Sequence, residues 1–114
     1  MDKQSDSKLI TCVLRKGRGI ALMEALSAEG HLKINFAFAR GSDLHDLVTK
    51  SSKRLKEDEK EIVTIVADSA EQADKIFDFV FDKAEINHPG AGLIYMTSLG
   101  FSTNYQLPVE NMKV

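Results

Sequence analysis

Apolar positions along this chain switch between two periods. Lys8 to Arg15 (K-L-I-T-C-V-L-R) is dense in β-forming residues and reads as a strand. Lys16-Gly17-Arg18-Gly19 breaks it. Ile20 to Glu29 follows, with Ile20, Met23 and Leu26 at helical spacing and Gly30 as the stop. Leu32 to Ala39 returns to a period of two, Ile34, Phe36 and Phe38 alternating with Asn35, Ala37 and Ala39. Glu61 to Ala67 (E-I-V-T-I-V-A) is a third strand. Ser69 and Gln72 form a capping-box pattern ahead of a second helix. In it Ala73, Ile76, Phe77, Val80 and Ala84 share one face, widened by Phe81. Asn87, Pro89, Gly90 and Gly92 end that periodicity, and Leu93 to Met96 resumes as a strand.

The order β-α-β-β-α-β gives two βαβ halves of similar length without a residue repeat. It predicts an α+β fold, a ferredoxin-like sandwich with both helices on one face of the sheet. A sheet face that meets water is normally polar. Here Leu9 and Val13 oppose Ile10, Cys12 and Leu14, and Ile62 and Val66 oppose Val63 and Ile65, so both faces are apolar. The chain has no spare element for the second face, and a further copy of itself is the expected cover.

Composition narrows the picture. A chain of 114 residues fits one domain. Residues 8–108 are assigned to it, with a disordered tail at 1–7 and a C-terminal tail at 109–114. The net charge of −2 gives no pull toward nucleic acid. No apolar run approaches the ~20 residues that span a bilayer, so membrane insertion is not expected. Met1 to Ser7 is polar and unlike a signal peptide, and Cys12 has no partner for an internal disulfide. Together these point to the cytoplasm.

Gly41 to Lys60 is far longer than a hairpin requires. Leu44, Leu47, Val48 and Leu55 fall close to helical spacing. The segment reads equally as an amphipathic helix that orders on a partner or as a solvated loop.

Catalytic chemistry finds little support. His31, His45 and His88 have no metal-ligand spacing, and no serine lies in a nucleophile-elbow setting. Glu57, Asp58, Glu59 and Glu61 form a charge run of the kind that is usually a solvated face. No base, nucleophile and oxyanion donors assemble, so the expectation is a protein that is not an enzyme. Anion binding is better served. Lys16-Gly17-Arg18-Gly19 sits between strand and helix, where backbone N–H groups attract anions, although it lacks the spacing of a P-loop. I86-N-H-P-G-A-G-L93 offers a second glycine loop, with His88 beside it. Arg40-Gly41, at the end of strand two, is placed to face that loop across a subunit boundary, as a cation opposite a phosphate cradle.

I34-N-F-A-F-A-R-G41, E61-I-V-T-I-V-A67 and N87-H-P-G-A-G-L-I-Y95, in this order of elements, resemble the nitrogen regulatory PII superfamily of signal-transduction proteins. The resemblance covers about residues 8 to 108. It implies a compact homotrimer with adenine nucleotides bound in the clefts between subunits. The long loop (the T-loop) would contact a target protein, and a glycine segment (the B-loop) would wrap phosphates. On this basis Gly90, Ala91 and Gly92 form the B-loop, Arg40 and Gly41 open the T-loop, and Asn35 and Ile65 fall where relatives line the adenine pocket. The departures are specific. Leu93 stands where the family has a phosphate-binding lysine, Asn104 and Gln106 stand at two basic positions, and Gly41 to Lys60 has no tyrosine for covalent modification.

Three missing cations weaken a triphosphate site severely, each charge-assisted contact contributing ~1.5–3 kcal/mol. The resemblance therefore implies a divergent PII-like regulator. It would require no cofactor and would bind ADP or AMP in preference to ATP, or a small anion such as bicarbonate, or no nucleotide. Arg18, Arg40 or His88 would supply substitute charge. Its loop at 41–60 would regulate a protein such as a transporter or enzyme. The other reading is a metal-binding trimer of the copper-tolerance type, which shares the fold.

Overall fold

The computed structural model describes residues 3–4, 6–41 and 58–103. Its elements in chain order are β1 (Lys3–Gln4), β2 (Lys8–Arg15), α1 (Gly19–Ala28), β3 (Ile34–Gly41), β4 (Asp58–Ala67), α2 (Ala70–Lys83), β5 (Gly92–Ser98) and β6 (Ser102–Thr103). The four long strands form one sheet in the order β3-β4-β2-β5, every neighbour antiparallel. This is the expected βαββαβ sandwich. The tail assigned to residues 1–7 holds one piece of regular structure, since β1 pairs with β6. The T-loop assigned to 41–60 falls mainly on residues outside those described, as do Asn104 and Gln106.

Both helices pack on one face. Ile10, Cys12 and Leu14 from β2 and Val63, Ile65 and Ala67 from β4 meet Leu22 and Leu26 of α1 and Ala73, Ile76 and Val80 of α2. Burying a side chain such as Leu26 or Ile65 stabilises the fold by about 1.5–3 kcal/mol. One expected core position is corrected. Ile20 is 60% exposed, because α1 begins at Gly19 and its buried stripe runs through Gly19, Leu22 and Leu26.

Local signals place the helix ends. Gly30, at φ +91°, closes α1 by donating to Ser27 O, while His31 N–H donates to Leu26 O. At α2 the Ser69 Oγ accepts from Gln72 N–H at 3.1 Å, and the Gln72 side chain accepts from Asp68 N–H at 2.7 Å. The capping-box pattern thus forms, with its return bond one residue earlier than usual.

The second sheet face is apolar only in part, because its residues alternate in rows of different character. Ala37, Ile62, Val13 and Leu93 form one row across the strands. Asn35, Thr64, Thr11 and Tyr95 form the next. Leu93 and Tyr95 are 57% and 47% exposed in the single chain.

Cys12 faces the helices and is fully buried. Loss of solvation pushes its thiol up to about 12, so it stays protonated and inert in the folded protein. A thiol reagent at pH 8 is expected to leave the native chain unlabelled and to label it fully in guanidinium. Rapid native labelling would contradict this burial.

Candidate anion-binding cleft

The chain between α2 and β5 is built by backbone turns. Ile86 N–H donates to Phe81 O, and Glu85 at φ +54° turns the chain off the helix. His88 N–H then donates to Glu85 O at 3.0 Å, and Ala91 N–H to His88 O at 3.1 Å. Gly90 and Gly92 take φ of +77° and +150°, which other residues adopt only under strain. Gly92 has a second constraint. A Cβ there would run into the Val13 carbonyl of the neighbouring strand.

The loop bounds a cleft of about 290 Å³ lined by Val13, Leu14, Arg15, Lys60, Gly90, Gly92 and Leu93. That volume is at the bottom of the range of about 300–1,000 Å³ for small-molecule sites, so one chain offers room for part of a ligand. Arg15 and Lys60 are cross-strand partners at the ends of β2 and β4. The Arg15 guanidinium lies against Gly90, where any side chain would collide with it. The cleft therefore combines two cations, a glycine loop and an apolar wall. Sequence reading had not singled out Arg15 or Lys60. The signal was present in the fold topology, which makes the end of strand one and the start of strand three neighbours.

The other glycine turn is already filled. Glu61, 5% exposed, accepts from Gly17 N–H through Oε2 and from Gly19 N–H through Oε1, each at 2.7 Å. These two bonds hold its carboxyl below the usual range, helped by Arg18 N–H and the Lys16 charge and opposed by burial. Two sequence expectations change together. Glu61 is not part of a solvated run, and the Lys16–Gly19 turn takes the chain's own carboxylate as its anion. Around it Lys16 pairs with Glu59 at 3.0 Å and Arg18 with Glu85 at 3.7 Å. Arg18 is thereby directed to Glu85 instead of the cleft.

The remaining predicted residues separate. Gly90, Ala91 and Gly92 sit together with exposed His88 beside them, although the Ala91 N–H is committed within the loop. Asn35, Arg40 and Gly41 lie on β3, the opposite edge strand, three strand spacings or roughly 14 Å from β5. Arg40 lines a separate cleft of about 500 Å³ with Phe38, Ala39 and Glu59. Ile65 is fully buried in the core and gives no surface to either cleft. Among the described residues no group of His, Cys, Asp or Glu is gathered to hold a metal ion, and no helix is long and apolar enough to cross a membrane.

No family model matches the sequence, and neither does any curated protein. Solved structures do. An Arabidopsis thaliana PII protein bound to citrate superposes with a TM-score of 0.65 at 19% identity, covering 84% of this chain and 79% of that one. A Bacillus subtilis GlnK–ATP complex gives 0.65 at 18%, covering 85% and 84%. GlnK from the same organism gives 0.61 at 20%, covering 83% and 86%. This is the PII fold. The low identity of these PII structures leaves the chemistry of the cleft to this chain's own residues.

Proposed function

We propose that the chain is a divergent, non-enzymatic PII-like signalling protein of the cytoplasm. It assembles as a homotrimer through the sheet face opposite the helices and binds a small ligand in the clefts between subunits. The observation that carries this reading is the position of the glycine-loop cleft. It opens beside the apolar row of Ala37, Ile62, Val13 and Leu93, on a sheet face that a second copy would cover. The incomplete volume of the cleft supports the same view, as does the separation of Arg40 from the glycine loop within one chain. A neighbouring subunit's β3 edge would bring Arg40, Gly41 and Asn35 to the loop carrying His88, Gly90, Ala91 and Gly92.

The ligand proposed is an adenine nucleotide, ADP or AMP ahead of ATP, or a small anion such as bicarbonate. The ATP and citrate bound by the similar structures support an anionic ligand. Occupancy of the cleft would bias the segment at 41–60, which regulates a protein target such as a transporter or enzyme. Two measurements test this. Light scattering on the purified chain is expected to give three times the monomer mass. Calorimetry is expected to register binding of at least one of ADP, AMP, ATP and bicarbonate. A monomer that binds none of them would end the proposal. The regulatory part has its own test, because deleting residues 43–58 is expected to abolish capture of the target.

A further inference from the structure

The short stretch from Arg15 to Gly19, between β2 and α1, holds two distant parts of the chain at once. On one side, Lys16 pairs with Glu59 at 3.0 Å, and the Gly17 and Gly19 N–H groups each donate to the Glu61 carboxylate at 2.7 Å. Both carboxylates stand at the entrance of β4, which begins at Asp58. On the other side, Arg18 reaches Glu85 at 3.7 Å, and the Arg15 guanidinium lies against Gly90. Glu85, at φ +54°, is the residue that turns the chain off α2, and its carbonyl accepts from His88 N–H in the glycine loop. The seat is tight. A Cβ at Gly19 would run into the Phe36 ring and the Glu61 carboxylate.

We infer that the Arg15–Gly19 turn is a coupling clasp, which ties the position of the glycine loop to that of the β4 entrance through Arg18 and Glu85 on one side and Glu61 on the other. The inference goes beyond the function proposed above, because it needs no ligand. A buried carboxylate has few intermediate states. Glu61, 5% exposed, either receives both amides or leaves its own oxygens and two N–H groups short of partners. That cost makes the turn and the β4 entrance move together or part outright. The pairs Lys16–Glu59 and Arg18–Glu85 are exposed, so each is weak and screened by salt. They bias the clasp, and Glu61 supplies its two-state character. Because the coupling is a free energy shared by both ends, it acts in both directions. Displacing the glycine loop loosens the β4 entrance, and releasing Glu61 loosens the glycine loop.

The test is amide hydrogen exchange on the full-length protein at pH 7, without added ligand. Arg18→Gln, Glu85→Gln and Glu61→Gln are compared with the unaltered chain. Lys33→Gln is the control, since it breaks the Lys33–Asp68 pair elsewhere on the molecule. Arg18→Gln and Glu85→Gln alter exposed side chains, so both are expected to fold. Each is expected to speed exchange at residues 58–61 about two- to fivefold. Glu61→Gln is expected to speed exchange of the Ile86, His88 and Ala91 amides about tenfold. Exchange in the middle of β2, at Ile10 and Cys12, is expected to stay at the parental rate in Arg18→Gln and Glu85→Gln, and Lys33→Gln is expected to leave both loops unchanged. Faster exchange confined to the glycine loop in Arg18→Gln and Glu85→Gln would overturn the coupling. So would a uniform rise that includes Ile10 and Cys12, because it reports only a less stable fold. Neither result bears on whether the cleft binds a ligand, which the calorimetry above decides.

Discussion

Gly92→Ala is expected to lower the stability of the fold by about 3–5 kcal/mol. Two costs add. The backbone at φ +150° strains any residue with a side chain, a penalty of order 1–3 kcal/mol. The new methyl also meets the Val13 carbonyl oxygen, with the Leu14 side chain 3.2 Å away. A flexible side chain would swing aside, whereas a carbonyl in the β2 strand moves only if the sheet distorts, and such overpacking costs typically 1–3 kcal/mol. Since β5 is, among the described residues, an edge strand paired only to β2, the least costly distortion pulls its first residues off the sheet.

Two neighbouring substitutions separate the contributions. Gly17→Ala has a similarly unfavourable φ of +90° but open space around the methyl, so it is expected to cost about 1 kcal/mol. At Gly90 the obstacle is the Arg15 guanidinium, which can move. Gly90→Ala, at φ +77°, is therefore expected to cost about as much as Gly17→Ala, about 1 kcal/mol, and to displace Arg15 from the loop. Urea unfolding of the three variants reads the series directly. An effect of Gly92→Ala no larger than that of Gly17→Ala would mean that the strand contact carries no weight.

Much of this architecture was legible in the sequence because it depends on local period. Alternation in β2, β3 and β4 separates two faces, and a 3.6-residue stripe marks α2. Ile20 misled because three apolar residues in α1 share a helical spacing with the true stripe, and only the helix start at Gly19 selects between them. The site was less legible because it depends on register. Nothing local to K-L-I-T-C-V-L-R15 indicates that Arg15 ends opposite Lys60, or that its guanidinium crosses a glycine far along the chain. Glu61 misled for the opposite reason. Its neighbours Glu59 and Lys60 suggest a solvated run, yet its side chain is on the helix face, opposite Leu14 and Phe38, where the α1 turn comes down upon it. A residue's parity within a strand decides its environment more than the charge of its neighbours does.

That burial makes Glu61→Gln the second large effect expected, a loss of about 1.5–3 kcal/mol at neutral pH. Glutamine keeps the shape and one acceptor oxygen, but its amide group confronts the other backbone N–H with a donor, leaving that N–H without a partner. The turn concerned, Lys16 to Gly19, follows Arg15 immediately, so the same change is expected to loosen the cation beside the glycine loop. The pH dependence identifies the carboxylate as the cause. Hydrogen bonds from Gly17 and Gly19 hold its folded-state pKa below the ordinary value of 4.5. A depressed carboxylate contributes its full stability above that ordinary value and loses it as pH falls through the lower, folded-state one. The gap between parent and Glu61→Gln is thus expected to be constant from about pH 7 down to pH 5 and to narrow steadily below 4.5. Other carboxylates titrate in both proteins and cancel in the difference. Unfolding free energies measured for the pair between pH 3 and 7 decide the matter. A gap that stays unchanged into acid would show that shape, and not the charge on Glu61, holds the turn.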